Sequence, residues 1–149
     1  MTEQDDPTLN TPPILAGKKG LVVGVANQRS IAWGLARRAA SAGAELAFTY
    51  QGEPILKRVQ PLAESVGSNL LVPMDVTDEA QVDAAFDAVG KAFGSLDFLV
   101  HSIAFADRED LKGRTLDTSR DGFLMAMEIS VYSLLPLSLI NISEPTRRT

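Results

Sequence analysis

The chain has 149 residues, a formal net charge of -5 at pH 7, one histidine and no cysteine. This length is sufficient for one domain with a buried core. The acidic balance argues against nucleic acid or an anionic membrane as the main partner. Without cysteine the chain forms no disulfide, and a single histidine argues against a histidine metal site. No apolar run reaches about 18 residues and no signal peptide is recognisable, so we expect no membrane span and a cytoplasmic location.

Predicted strands and helices alternate from residue 18 onward. Residues 1–17 are polar and acidic with several prolines, and we predict a flexible tail there. An apolar run at 20–23 predicts a strand, residues 30–43 a helix, residues 45–50 a second strand and residues 53–66 a second helix. The first of these helices is predicted from apolar spacing at Ile31, Leu35, Ala39 and Ala42.

The alternation continues in the second half of the chain. Residues 69–76 predict a third strand, which Pro73 should shorten because proline lacks a backbone donor. Residues 77–94 predict the clearest helix, in which Asp78 and Gln81 have the spacing of a capping box. Residues 96–103 predict a fourth strand, residues 105–119 a loop, and residues 119–135 a last helical segment.

This alternation predicts an α/β fold, in which helices cover both faces of a doubly wound parallel sheet of about four strands. We assign residues 18–135 to this one domain. Ligands of such sheets bind beyond the carboxyl ends of the strands, so the residues that follow each strand are the candidates for a site.

The turn after the first strand carries one glycine, Gly24, and reaches Ser30 before the helix begins. A dinucleotide-binding turn usually has further glycines there. Gly24 would let the backbone approach a phosphate, while Ser30 and the free amides of the helix N-terminus would bind its oxygens. Taken alone, this pattern fits equally well a glycine that only makes a turn and a serine that only caps a helix.

The other strand ends favour a dinucleotide. Gln51 stands where an acidic residue usually holds a ribose hydroxyl, and Glu53 nearby would repel a 2'-phosphate, which favours NADH over NADPH. Asp75 has the position to accept from an adenine amino group, with Val76 against the ring, although an aspartate at a helix start is equally plausible. His101, at the fourth strand end, is more simply explained as a structural residue.

Five stretches, "GVANQRSIAWGLA", "ELAFTYQ", "MDVTDEA", "LDFLVHSIAFA" and "MEISVYSLL", together resemble the enoyl-acyl-carrier-protein reductases of bacterial fatty-acid synthesis. These enzymes are a divergent branch of the short-chain dehydrogenase/reductase superfamily. The resemblance extends over about residues 18–135. It implies a Rossmann-type fold and NADH-dependent reduction of a trans-2-enoyl thioester carried on acyl carrier protein, by an enzyme that is typically a homotetramer.

The resemblance also implies which residues bind. Dinucleotide contacts are expected from Gly24, Ser30, Ile31, Gln51, Asp75, Val76 and Ile103, flanked by Ser102 and Ala104. Ala106 matches a position in the acyl pocket. No metal is expected.

One feature of the family is expected to be missing. Its chemistry uses a Tyr-x6-Lys pair on a helix after a fifth strand, where the tyrosine supports the enolate oxygen and the lysine holds the ribose. We expect no such pair in these 149 residues, and we reject Tyr132 as the catalytic tyrosine. Residues 136–149 do not resemble the family, and Pro136 should break or kink the preceding helix.

The sequence therefore predicts the amino-terminal half of a reductase, a fragment that is inactive by itself. Two other interpretations stay open at this point. One is a carbonyl reductase of the same superfamily, against which the "HSIAFA" stretch and the glycine–serine turn argue. The other is a nucleotide-binding module without catalysis, which the missing pair favours.

Overall fold

The computed structural model describes residues 12–142, with side chains to residue 138. Four strands alternate with three helices: β1 Lys19–Val23, α1 Ile31–Ser41, β2 Glu45–Tyr50, α2 Glu53–Ser65, β3 Leu70–Pro73, α3 Glu79–Phe93 and β4 Phe98–His101. A 3-10 turn at Thr115–Asp117 leads to α4 Arg120–Met127, a π-helical segment Glu128–Tyr132, and α5 Leu134–Ile142.

The four strands form one parallel sheet in the order β3-β2-β1-β4. In the register, Val22 of β1 lies between Phe48 of β2 and Val100 of β4. The strand order reverses between β1 and β4, so this sheet has a topological switch point between those two strands. The predicted α/β doubly wound parallel sheet is confirmed.

Each face of the sheet carries its own core. On one face, Phe48 and Val22 pack against Trp33 of α1 and Val59 of α2. On the other face, the sheet packs against α3, whose buried residues are Val82, Ala85, Phe86 and Val89. Helices therefore cover both faces, and burial of these apolar side chains is the main term that stabilises the fold.

The sequence located α1 correctly, but only two of the four residues whose spacing predicted it, Ala39 and Ala42, lie on the buried side. Ile31 is 78% exposed and Leu35 48% exposed. The helix instead buries Ala32, Trp33 and Ala36 against β1 and β2. The small alanines let the helix backbone approach the sheet, and Trp33 fills the space beside Phe48, with 6.4 Å between ring centroids.

Two smaller expectations about strand and helix ends are confirmed. β3 ends at Pro73, which occupies the last paired position of an edge strand. Asp78 caps α3 by accepting from the backbone N–H groups of Ala80 and Gln81 at 3.0 and 3.2 Å. The Gln81 side chain, however, binds Asp75 N and the Asp78 carboxylate, rather than the Asp78 backbone N–H of a standard capping box.

Part of the predicted tail is attached to the domain. Residues 1–11 lie outside the described residues. Residues 14–17 form a turn, and the Leu15 N–H donates to Ala42 O at 2.8 Å. The chain is therefore held against the end of α1 before β1 begins.

The helical segment near Pro136 is irregular on its amino-terminal side. Ser133 N donates to Glu128 O at 3.0 Å, which is the i to i−5 bond of a π-helix. Proline has no N–H and crowds the carbonyl one turn before it. Pro136 therefore accounts for the widened turn that precedes it. α5 then continues through Pro136 to Ile142, and the residues from 143 onward lie outside the described part.

Leu137 belongs to the core. Its side chain is fully buried in the cluster of the α3 face, beside Leu21 and Val23. We expect Leu137→Ala to lower the free energy of unfolding by about 2–5 kcal/mol, because it leaves a cavity in that core. Leu135→Ala, at a position 54% exposed, is the matched control and should change stability by no more than about 0.5 kcal/mol. Urea denaturation compares the two, and equal effects would show that α5 does not pack as described.

Candidate functional site

The carboxyl ends of β1, β2, β3 and β4 border one groove at the switch point of the sheet, with a volume of about 240 Å³. It is lined by Val23, Gly24, Val25, Ala26, Thr49, Tyr50, Gln51, Ile55, Met74, Asp75, Val76, Ser102, Ile103, Ala104, Phe105 and Ile129. The lining is mostly apolar with a few polar groups, as is usual for a small-molecule site.

Gly24 allows the loops after β1 and β4 to approach each other. Its φ is +108°, a region that other residues rarely adopt. A Cβ atom here would overlap the Ser102 carbonyl oxygen and lie 3.2 Å from Ile103 N. The glycine is thus required by contact between two backbones, which explains the residue without any ligand.

Asn27 holds the turn that has no second glycine. Its side-chain oxygen accepts from Arg29 N at 2.7 Å, and its carbonyl oxygen accepts from both Ser30 N and Ser30 Oγ, at 3.1 and 2.6 Å. Ser30 is the N-cap residue of α1, but its side chain makes no capping bond. The first amide of α1, at Ile31, has no acceptor within the helix and is available to an anion, whereas Ala32 is fully buried.

Gln51 and Asp75 hydrogen-bond each other across the ends of β2 and β3. Gln51 Nε2 donates to Asp75 Oδ2 at 2.6 Å. The sequence assigned these two residues to different parts of a dinucleotide and did not predict their contact, because 24 positions separate them.

Thr77 holds the other oxygen of the same carboxylate. Its backbone N–H and its hydroxyl donate to Asp75 Oδ1 at 2.9 and 2.7 Å. The backbone N–H of Thr77, followed by its hydroxyl, holds the pKa of Asp75 below the usual value. Asp75 is therefore an ionised acceptor on both oxygens at neutral pH.

The loop after β4 is fastened to the π-helical segment. Ser130 Oγ accepts from Phe105 N at 3.0 Å and donates to Phe105 O at 3.3 Å. Phe105 and Ile129 both line the groove. The sequence analysis missed all three residues; the one available signal was Pro136, which lies one turn after the segment.

His101 is a structural link between β4 and the helical segment. Its Nε2 lies 2.8 Å from Ser133 Oγ, and Ser133 is itself buried and directs its hydroxyl proton to Ile129 O at 2.7 Å. The ring nitrogen is therefore the donor in the first bond. Burial lowers the pKa of His101, so the imidazole is neutral in the folded chain.

Acidification should weaken the fold through His101. The unfolded state, with an ordinary histidine pKa near 6.5, takes up the proton before the folded state does, so stability is lost as the pH falls below that value. In His101→Gln the amide can keep the donor to Ser133 without titrating. We expect the free energy of unfolding of the wild type, but not of this variant, to fall between pH 6.5 and about pH 5. Identical pH profiles in urea denaturation would contradict this.

The structure brings most of the predicted cofactor residues together. Gly24, Gln51, Asp75, Val76, Ser102, Ile103 and Ala104 line the groove. Ser30, Ile31 and Ala106 are not among the lining residues. Ser30 and Ile31 instead form the start of α1, adjoining the groove through the turn that begins at Gly24.

One expectation about catalytic residues needs correction. Tyr50 and Lys57 do have the Tyr-x6-Lys spacing. Tyr50, however, ends β2 and lines the groove, whereas Lys57 lies exposed on α2, so the two do not share a helix. Tyr132 is 60% exposed and does not line the groove. The helical pair of the family is therefore not provided by the described residues.

Residues 12–142 contain neither a membrane-spanning helix nor a cluster of metal-binding side chains. Within that range no helix is long and apolar enough to cross a membrane. No group of three or more histidine, aspartate or glutamate residues in the same range is arranged to hold a metal ion.

Comparison with known proteins identifies the family. A family model described as enoyl-(acyl carrier protein) reductase matches residues 24–140. Enoyl-[acyl-carrier-protein] reductase [NADH] 1 of Rhizobium meliloti is 53% identical over 120 residues, which are 80% of this chain and 44% of the relative.

Two solved structures carry the same fold. The Anaplasma phagocytophilum reductase in complex with NAD has a TM-score of 0.84 at 48% identity, over 89% of this chain and 50% of that one. The Bacillus cereus reductase with NADP+ and an indole naphthyridinone has a TM-score of 0.82 at 46% identity, over 86% and 51%. The chain spans about half the length of these relatives. On this evidence, the chain belongs to the enoyl-(acyl carrier protein) reductase family.

Proposed function

We propose that this chain binds NADH for the reduction of trans-2-enoyl thioesters of acyl carrier protein. The observation that carries the proposal is the groove at the switch point, where a free amide at the start of α1 adjoins the hydrogen-bonded Gln51 and Asp75 at the ends of β2 and β3. That arrangement suits a molecule with a pyrophosphate in its middle and a ribose beside it. The family membership supports the same assignment.

The residues present fit a dinucleotide. The amide of Ile31 would bind the pyrophosphate, with Ser30 beside it. Gln51 would accept from a hydroxyl of the adenosine ribose, and Asp75 from the adenine amino group, with Val76 against the ring. Bound NADH supplies a hydride.

The nicotinamide end would lie beyond β4. There Ser102, Ile103 and Ala104 form the wall of the groove, and Ser130 holds that wall through the backbone of Phe105. Small side chains leave space for a flat ring and its ribose. Ala106, further along the loop, is proposed to contact the acyl chain.

Binding of the cofactor is the direct test. We expect the purified chain to bind NADH, and to bind it more tightly than NADPH, in titrations of nicotinamide fluorescence. Glu53→Gln tests the repulsion predicted from the sequence, because Glu53 is exposed at the start of α2 and is not among the lining residues. Failure to bind either dinucleotide would overturn the proposal, and equal affinities would overturn the preference.

We also propose a cytoplasmic location and the homotetrameric state that the resemblance implies. Apolar side chains on the helical segment after residue 120 support subunit contacts there, since Val131, Tyr132 and Leu135 are each more than half exposed.

A further inference from the structure

We propose that Asp75 acts through Gln51 as a positioning residue that selects a ribose 2'-hydroxyl over a 2'-phosphate. The inference rests on the proposed function, because it concerns how the same groove would recognise a dinucleotide. It differs from the sequence prediction, which assigned the choice between NADH and NADPH to the charge of Glu53. The new element is a chain of hydrogen bonds from Thr77 through Asp75 to Gln51.

The direction of each bond in this chain is determined. Thr77 gives two donors to Asp75 Oδ1, its backbone N–H at 2.9 Å and its hydroxyl at 2.7 Å. The second oxygen, Oδ2, faces Gln51 at 2.6 Å. A carboxylate only accepts, so the amide of Gln51 must turn its NH2 group toward Asp75.

The orientation of Gln51 Nε2 also fixes the direction of Gln51 Oε1. With Nε2 against Asp75, Gln51 Oε1 points away from the carboxylate, and no group within residues 12–142 donates to it. A ribose hydroxyl can donate to this oxygen. A 2'-phosphate is largely ionised at neutral pH and presents acceptors only, so it would meet an acceptor with no proton between them.

Asp75→Asn should reverse the orientation of the Gln51 side-chain amide. Thr77 would still supply two donors at the Oδ1 position. The side-chain oxygen of the new asparagine would therefore occupy that position. The NH2 group of that asparagine would then face Gln51 and donate to its side-chain oxygen. Gln51 would turn its own NH2 group outward, where it can donate to a phosphate.

The experiment measures the dissociation constants of NADH and NADPH and reports their ratio. A role of Asp75 in adenine binding weakens both cofactors and cancels in the ratio. We expect Asp75→Asn to reduce the preference for NADH by about tenfold or more, since a repulsive contact with the 2'-phosphate is exchanged for a hydrogen bond to a charged group. Gln51→Met, which removes the polarity at similar size, should give a smaller reduction.

A double-mutant cycle separates this effect from simple loss of charge. Asp75→Asn also removes a negative charge, which would favour a phosphate without involving Gln51. In the Gln51→Met background, Asp75→Asn should leave the ratio unchanged, and the shift in the single variant should persist at high salt. An equal shift in both backgrounds would overturn the proposal in favour of direct charge repulsion.

The remaining outcomes are equally decisive. If Asp75→Asn does not fold, an unchanged ratio in Gln51→Met alone overturns the inference. If the wild type binds NADH but no variant alters the ratio, the inference fails while the proposed function stands. If the wild type binds neither cofactor, the proposed function fails first.

Discussion

The 149-residue chain alone is expected to reduce enoyl thioesters at least about a thousandfold more slowly than a full-length family member. Loss of one oxyanion donor typically costs about two to three orders of magnitude, and here the lysine that would support the tyrosine and hold the ribose is missing as well. The assay is the loss of NADH absorbance with a crotonyl thioester, and the Rhizobium meliloti relative serves as the positive control. Binding of NADH without turnover is the predicted combination.

Tyr50 supplies the control for this prediction. It lines the groove and has Lys57 at the family spacing, so residual activity would direct attention to it first. We expect Tyr50→Phe to leave the background rate unchanged, because Lys57 lies exposed on α2 and is not a lining residue. A rate comparable to that of the relative, and sensitive to Tyr50→Phe, would contradict our assignment of the chemistry to missing residues.

The fold could be predicted from the sequence because its signals are local. Alternation of apolar runs with helical spacing depends on neighbours within one or two turns, and parallel pairing follows from the crossover helices. The sequence also predicted that Gly24, Gln51 and Asp75 would lie at one groove, since the carboxyl ends of parallel strands share an edge. Which side of a helix is exposed was harder to predict. Ile31 and Leu35 match the helical period but lie on the exposed side of α1.

The details of the site depend on contacts that no local pattern contains. The bond from Gln51 to Asp75 joins two strand ends, and a third residue, Thr77, holds the other oxygen of the carboxylate that accepts it. The bond from Ser130 to Phe105 depends on a π-helical widening that periodicity does not reveal. Sequence analysis therefore found the residues that face the groove more readily than the residues that hold them in place.

Gly24→Ala is expected to lower the free energy of unfolding by at least about 3 kcal/mol. A residue with a Cβ at φ +108° carries backbone strain of about 1–3 kcal/mol, and the overlap with the Ser102 carbonyl adds to it because β1 and β4 are held in register beside each other. Gly34→Ala is the matched control. Gly34 lies within α1 with open space around its Cβ position, so alanine there should stabilise the chain by about 1 kcal/mol.

The same variant separates the two explanations of this glycine. If Gly24 serves mainly the contact with Ser102, then stability and NADH affinity should fall together in Gly24→Ala, and Gly24→Val should be worse in both. If Gly24 serves mainly to admit a pyrophosphate, the variant should unfold at the wild-type urea concentration and lose only NADH affinity. We expect the first result, because the overlap with Ser102 exists in the chain without any ligand. Wild-type stability in Gly24→Ala would contradict it and restore the explanation based on the pyrophosphate.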